Sequence, residues 1–186
     1  MGVILETERF VLRELTEGDL DFVAEMTADP EVMRFYPKVL DREGAKAWLQ
    51  RQLNRYARDG HGLWLVADKR SGEPRAQVGF LIQEVEGKRE EEIGYLVHRP
   101  FWRQGIAKEA AIGVRAWVRA RGSKRIILLI RPENTPSAAT AKSIGCTVEK
   151  RVEFHGYTHD LWVHWTSTSV VSAHPAWLGE RVTDHC

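Results

Sequence analysis

The chain has 186 residues, 43% of them apolar, and its 27 Lys plus Arg nearly balance its 26 Asp plus Glu. That size and apolar content suit one globular domain with a sizeable core, and the near-zero net charge excludes the strong basic field of a nucleic-acid-binding protein. No apolar run reaches membrane-spanning length, Met1 to Arg13 carries Glu6 and Glu8 instead of a signal-peptide core, and Cys146 with terminal Cys186 makes no disulfide framework, so a reducing cytosol is the expected compartment.

Val3 to Leu15 alternates loosely and reads as a strand. Thr16 is placed as a helix N-cap with Asp19 reaching back to it, and Leu20, Phe22, Val23 and Met26 would face a core. Asp29-Pro30 ends that helix, because a residue before proline is pushed out of the α region. A second helix is expected after Asp41, with Ala45, Trp48, Leu49 and Tyr56 at helical spacing and Asp59-Gly60 as its stop.

Three strands follow, Gly62 to Asp68, Ala76 to Val85 and Glu91 to Val97, joined by short turns that make an antiparallel meander. A helix spans Gln104 to Arg121, with Ala107, Ala110, Ala111, Val114, Trp117 and Val118 on one face and Gly122 behind it. Ile126 to Ile130 is continuously apolar, the pattern of a strand covered on both faces. Asn134 is placed to cap a short helix through Ile144, and two strands, Thr147 to Phe154 and Thr158 to Trp165, complete an α/β order. The remaining residues have no clear period, so residues 1–165 are read as the domain and 166–186 as a tail.

The stretch richest in chemistry runs from the Glu92 strand through Arg103-Gln104-Gly105-Ile106-Ala107-Lys108. First-turn helix amides have no internal partner and sit at the positive end of the dipole. With Gly105 and Ala107 leaving the backbone uncovered, and Arg103 and Lys108 adding charge, a diphosphate could approach there; a tight loop that simply needs glycine is the plainer alternative. Asn134-Thr135-Pro136-Ser137 opens the next helix. If the two preceding strands are neighbours, both helix N-termini point into one crevice at the sheet's carboxyl end.

These motifs resemble the GNAT superfamily of N-acetyltransferases, in particular its ribosomal-protein N-terminal acetyltransferase branch. The resemblance spans Leu5 to about Trp165 and rests on five stretches in order: Leu5 to Arg13, Asp29 to Met33, Glu92 to Tyr95, Phe101 to Ala110, and Asn134 to Ser137 with Lys142 and Gly145. It implies a mixed, mostly antiparallel, splayed sheet flanked by helices, with acetyl-CoA between the Glu92 and Ile126 strands. It implies the pyrophosphate on the amides of Arg103 to Lys108, the pantetheine along Tyr95, Leu96 and Val97, Asn134 against the cofactor, and the thioester oxygen held by the Leu96 or Val97 amide.

The sequence departs from many relatives at Ala141, where a tyrosine serves as acid to the leaving thiolate. Ser137 matches the serine used in the ribosomal-protein branch and is the candidate donor. Gly145-Cys146 replaces a glycine-aromatic pair, and Cys146 reads as a small core residue. Glu92 and Glu153 are the candidate general bases by resemblance; each also reads as an ordinary strand-face carboxylate. His155, His159 and His164 lack metal-site spacing, so no metal is expected. Trp64 and Trp162 are candidates for the acceptor wall. The expected reaction is direct transfer from acetyl-CoA to a primary amine, a protein N-terminus or a lysine. The alternatives are a small amine as acceptor, or an inactive acyl-CoA-binding regulatory domain; monomer and homodimer stay open, and neither nucleic acid nor membrane is an expected partner.

Overall fold

The single strand expected at the amino end is a hairpin. In the computed structural model, which describes residues 2–165, β1 (Val3–Glu6) and β2 (Phe10–Arg13) pair antiparallel, and the chain reverses at Thr7, where the Thr7 amide bonds the Phe10 carbonyl at 2.9 Å. The polar run Thr7-Glu8-Arg9 interrupts the alternation, which is why one apolar period becomes two strands. The 166–186 tail lies outside the described residues.

A 3-10 turn (Glu17–Asp19) leads into α1 (Leu20–Ala28). Asp19 does reach back: its Oδ2 accepts from the Thr16 amide at 2.7 Å. The same carboxylate takes a two-pronged bond from Arg13, Nη1 to Oδ2 and Nη2 to Oδ1, each 2.8 Å, so one acid joins the end of β2 to the start of α1. Then come α2 (Arg42–Asp59), capped by Asp41 through a bond from the Gly44 amide, and the meander β3 (Leu63–Asp68), β4 (Pro74–Val85) and β5 (Lys88–Val97). The rest of the chain forms α3 (Ile106–Ala120), β6 (Arg125–Ile130), α4 (Thr135–Ser143), β7 (Thr147–Phe154) and β8 (Tyr157–Trp165).

The eight strands lie in the order β1-β2-β3-β4-β5-β6-β8-β7, antiparallel at every step except β5–β6, which is parallel. Ile126, Leu128 and Ile130 of β6 share a core with Ile93 of β5 and with Ile106, Ala110, Ala111, Val114 and Val118 of α3. The other face buries Leu65, Leu81 and Leu96 against Val23 and Met26 of α1 and Ala45, Trp48 and Leu49 of α2. Ile127 faces a third cluster with Val152, Leu161 and Val163. Both faces of β6 are therefore covered, as its unbroken apolar run requires, and each fully buried Leu or Ile contributes roughly 1.5–3 kcal/mol. Gly79 marks a close approach inside the meander, since a Cβ there would stand 2.0 Å from the Gly62 carbonyl oxygen.

Candidate functional site

The parallel pair β5–β6 is joined at one register point, Glu92 opposite Ile127. Beyond it, among the described residues, β5 continues to Val97 paired only with β4, and β6 to Ile130 paired only with β8. The two strands thus part toward their carboxyl ends, where the helices that follow each of them begin. A cleft of about 540 Å³ fills this opening. Its wall is Tyr95, Leu96 and Val97 from β5, Arg103, Gly105, Ile106, Ala107 and Lys108 from the loop and first turn of α3, and Asn134 and Ser137 from the start of α4. Every residue expected at a cofactor lies on it except Gln104, whose Nε2 turns back to the Pro100 carbonyl at 3.4 Å.

The loop into α3 is held in an unusual backbone shape. Arg103 (φ 62°) and Gly105 (φ 74°) both occupy the left-handed region, and Arg103 bears the steric cost of about 1–2 kcal/mol that a side chain incurs there. Trp102 braces the loop by donating Nε1–H to the Val97 carbonyl at 2.8 Å. Among the described residues no side chain caps the α3 amides that result, the condition under which a helix start attracts an anion. At the start of α4, Asn134 Oδ1 accepts from the Ser137 amide at 3.2 Å, so Asn134 is a cap as well as a cleft residue.

The register of β5 sorts its backbone groups. His98 donates its amide to the Arg75 carbonyl of β4, and antiparallel pairing alternates, so Leu96 points its amide to β4 while Tyr95 and Val97 point theirs toward the opening. Side chains alternate too: Tyr95 and Val97 lie on the α3 face, Glu92 and Leu96 on the α1–α2 face. Tyr95 crosses to α4, its hydroxyl donating to the Ser137 carbonyl at 2.9 Å and accepting from Ser137 Oγ at 3.0 Å. Burial pushes the Tyr95 hydroxyl far above its ordinary range, only partly offset by the Ser137 bond, so it stays a neutral phenol.

Glu92 is buried beside the opening but off the cleft wall. Gln83 Nε2 donates to it at 2.6 Å. Burial pushes its carboxyl above the usual range, opposed by Gln83, the Leu129 amide and the Arg55 charge. Glu153 stands elsewhere, exposed on the edge strand β7, where its Oε1 accepts from Thr158 Oγ1 at 2.6 Å. Trp64 is not an acceptor wall: it is fully buried under α3, edge-on to Trp117 with ring centroids 5.0 Å apart. Its position on the α3 face follows the strand alternation, which the unbroken apolar run Leu63 to Val66 conceals. Trp162 packs against the same core. Ala141 is buried in α4, and burial pushes the Cys146 thiol up to about 11, which makes it an inert core group. Among the described residues no group of three or more His, Cys, Asp or Glu side chains is gathered as for a metal ion, and no helix among them is long and apolar enough to cross a membrane.

Glu31, Val32 and Phe35, from the connection between α1 and α2, also line the cleft. Only the stretch Asp29 to Met33 of the resemblance hinted at this segment. It reaches the opening because Val32 and Met33 bury into the α1–α2 core beside Leu96, a contact between positions far apart in sequence.

Known proteins agree with this architecture. Residues 9–147 match the acetyltransferase (GNAT) domain family. The uncharacterized protein YkkB of Bacillus subtilis (strain 168) is 31% identical over 150 residues, covering 80% of this chain and 87% of that protein. The uncharacterized N-acetyltransferase YnaD of the same organism is 28% identical over 144 residues, covering 76% and 81%. Among solved structures, an acetyltransferase from Agrobacterium tumefaciens str. C58 superimposes with a TM-score of 0.75 at 24% identity, over 88% of this chain and 94% of that one. RimL, a ribosomal L7/L12 alpha-N-protein acetyltransferase in complex with coenzyme A, gives 0.73 at 18% identity, over 88% and 98%. The eight-stranded sheet that parts beside its single parallel pair, and the family match across most of its length, make this chain a member of the GNAT family, an acyl-CoA-dependent acetyltransferase.

Proposed function

We propose that this enzyme transfers the acetyl group of acetyl-CoA directly to a primary amine in a ternary complex, with a protein N-terminus as the first acceptor to test. The observation that carries this reading is the cleft itself, where uncapped α3 amides, outward-facing β5 amides and the start of α4 converge. The α3 start, from Arg103 to Lys108, has the shape and polarity to receive the diphosphate. Tyr95 to Val97 offer an extended edge for the amide groups of pantetheine. Of the two amides considered for the thioester oxygen, the register favours Val97, because the Leu96 amide is turned to β4.

The neutral amine nitrogen attacks the thioester carbonyl carbon, the carbon–sulfur bond breaks, the thiolate leaves with the bonding pair, and the proton that the nitrogen sheds on becoming an amide goes to the thiolate through solvent. The Val97 amide stabilises the negative charge that gathers on the carbonyl oxygen between these events. Ser137 can donate a hydrogen bond to the departing sulfur once its hydroxyl proton swings from Tyr95 to the cleft, and the sulfur needs little more because thiols ionise near pH 8.5. The amine must shed its proton first, and Glu92 is the better-placed base. It lies on the α1–α2 face beside the opening, and burial raises its carboxyl above the ordinary range, so it holds a proton more tightly than a surface acid. Glu153, tied to Thr158 on the edge strand, has less to recommend it. A protein N-terminus, the acceptor class in RimL's name, has an amine pKa near 8 and demands less of the base than a lysine near 10.4.

Calorimetric titration with acetyl-CoA and CoA tests the cofactor part, with Gly105→Glu as the control. Micromolar binding by the wild type, abolished by the variant, is the expected result; no binding by the wild type overturns the reading. Thiol release across a panel of peptide N-termini and small amines then identifies the acceptor, and binding without turnover on any amine would favour a regulatory role.

A further inference from the structure

We propose that Arg9, in the turn between β1 and β2, is an additional ligand for a phosphate group of the CoA nucleotide, held at the Gly105 loop by Glu109. The inference rests on the reading that the α3 start receives the diphosphate. Glu109 lies in the first turn of α3, its amide bonded to the Gly105 carbonyl at 3.0 Å. A carboxylate there complements the helix dipole but opposes an incoming diphosphate.

The structure meets this conflict with the hairpin. Glu109 Oε1 accepts from Thr7 Oγ1 at 2.7 Å and from the Arg9 amide at 2.8 Å, and Oε2 accepts from Arg9 Nε at 2.6 Å. Burial raises the Glu109 carboxyl, but these donors outweigh it and hold the group ionised, below its usual range. The acid is thus neutralised, and the arrangement spends only Nε of the guanidinium. Neither Nη group makes a hydrogen bond among the described residues.

Nη2 is aimed at the loop: a Cβ on Gly105 would stand 3.5 Å from it. The Arg9 side chain is 47% exposed, so its remaining donors are accessible to a ligand. Its position is set in advance. The guanidinium carbon lies 4.8 Å from the Phe10 ring centroid, and the hairpin packs so closely on α3 that a Cβ on Gly113 would come within 3.0 Å of Leu5 and of Thr7. A planar donor group, fixed by one edge and open at the other beside uncapped helix amides, suits a phosphoryl oxygen.

The test is titration of wild type, Arg9→Met and Thr7→Val with CoA and with 3′-dephospho-CoA, at two salt concentrations. Arg9→Met is expected to weaken CoA binding roughly 10- to 150-fold, as for loss of a hydrogen bond to a charged group, and to flatten the salt dependence. Thr7→Val, which removes one of the Glu109 donors but keeps the Arg9 guanidinium, is expected to weaken binding less than Arg9→Met and to leave the salt dependence unchanged. Loss confined to CoA assigns the 3′-phosphate and loss with both ligands the diphosphate; either supports the proposal. Wild-type binding retained by Arg9→Met, or a loss matched by Thr7→Val with unchanged salt dependence, overturns it. If the wild type itself binds neither ligand, the reading beneath the proposal fails, a result distinct from the Arg9 outcomes.

Discussion

The hydroxyls of Tyr95 and Ser137 meet at 3.0 Å across the opening between β5 and α4. Because Tyr95 also donates to the Ser137 carbonyl, the phenol anchors the residue proposed to attend the leaving sulfur, while its own raised pKa makes it a poor acid. Ser137→Ala is expected to lower kcat about 10- to 100-fold, at or below the low end of general-acid effects because a thiolate needs little help. Tyr95→Phe leaves Ser137 in place but loosens it, so a smaller loss in kcat is expected. Steady-state kinetics of the two single variants and the double variant check the coupling. Additive losses would show that the two hydroxyls act independently.

Glu92 sets the acid side of the pH profile if it takes the amine proton. Its carboxyl pKa is raised, chiefly by burial, so kcat/KM is expected to rise with pH through a value above the ordinary carboxylate range. Glu92→Gln is expected to cost about 100-fold at neutral pH and to abolish that limb. An unchanged limb in the variant would assign it to another group. The same shift has the opposite sign for stability. A carboxyl that holds its proton more tightly in the folded state contributes stability below its unfolded pKa, and loses it as pH rises toward the folded value.

Arg13 and Asp19 make the complementary case. Burial alone would raise the Asp19 carboxyl, but the two-pronged Arg13 bond and the Thr16 bonds hold it below the usual range. Its contribution is therefore present above the unfolded pKa and is lost as pH falls through the folded one. Asp19→Asn is expected to destabilise the fold by about 1–3 kcal/mol at pH 7, with a difference from wild type that shrinks in acid. Urea unfolding at several pH values measures this directly.

Gly79→Ala tests the close packing of the meander. Its added methyl would overlap the Gly62 carbonyl, which also accepts the Phe80 amide at 3.1 Å. Backbone cannot swing aside as a side chain does, so a loss of about 3 kcal/mol is expected, read as a lowered Tm. Gly72→Ala serves as the control: its φ of 73° imposes backbone strain, but a Cβ would meet nothing within 4 Å. Gly79 lies outside the left-handed region, so a loss there no larger than the φ strain read at Gly72 would contradict the overlap with the Gly62 carbonyl.

Acetyl-CoA binding is expected to raise Tm in proportion to the logarithm of its concentration, as for any ligand of the folded state alone. At 100 times Kd the gain is about 2.7 kcal/mol. Thermal melts across a concentration series check it, and a Tm indifferent to acetyl-CoA would contradict the cofactor reading.

Local sequence alone determined most of the element order. Asp41 caps α2, and its Gly44 amide bond is a contact three residues long. Asp19 reaches Thr16, Gly105 turns into α3, and Ile126 to Ile130 carry their burial in their composition, so each signal is complete within a few residues. Arg103, Gly105 to Lys108, Asn134 and Ser137 were likewise legible as helix starts, whereas Tyr95 to Val97 were legible only through the family resemblance. Tertiary structure decided what depends on distant partners. The alternation of β5 is visible in its residues, but only pairing with β4 shows which amides turn to the opening. Packing alone buries Trp64 under α3, brings Glu31 and Phe35 to the cleft, and ties Arg9 to Glu109, 100 residues away in the chain. The physical reason is the same in each case: hydrogen-bond direction, burial and charge pairing belong to a pair of residues, and one-dimensional order names only one member of the pair.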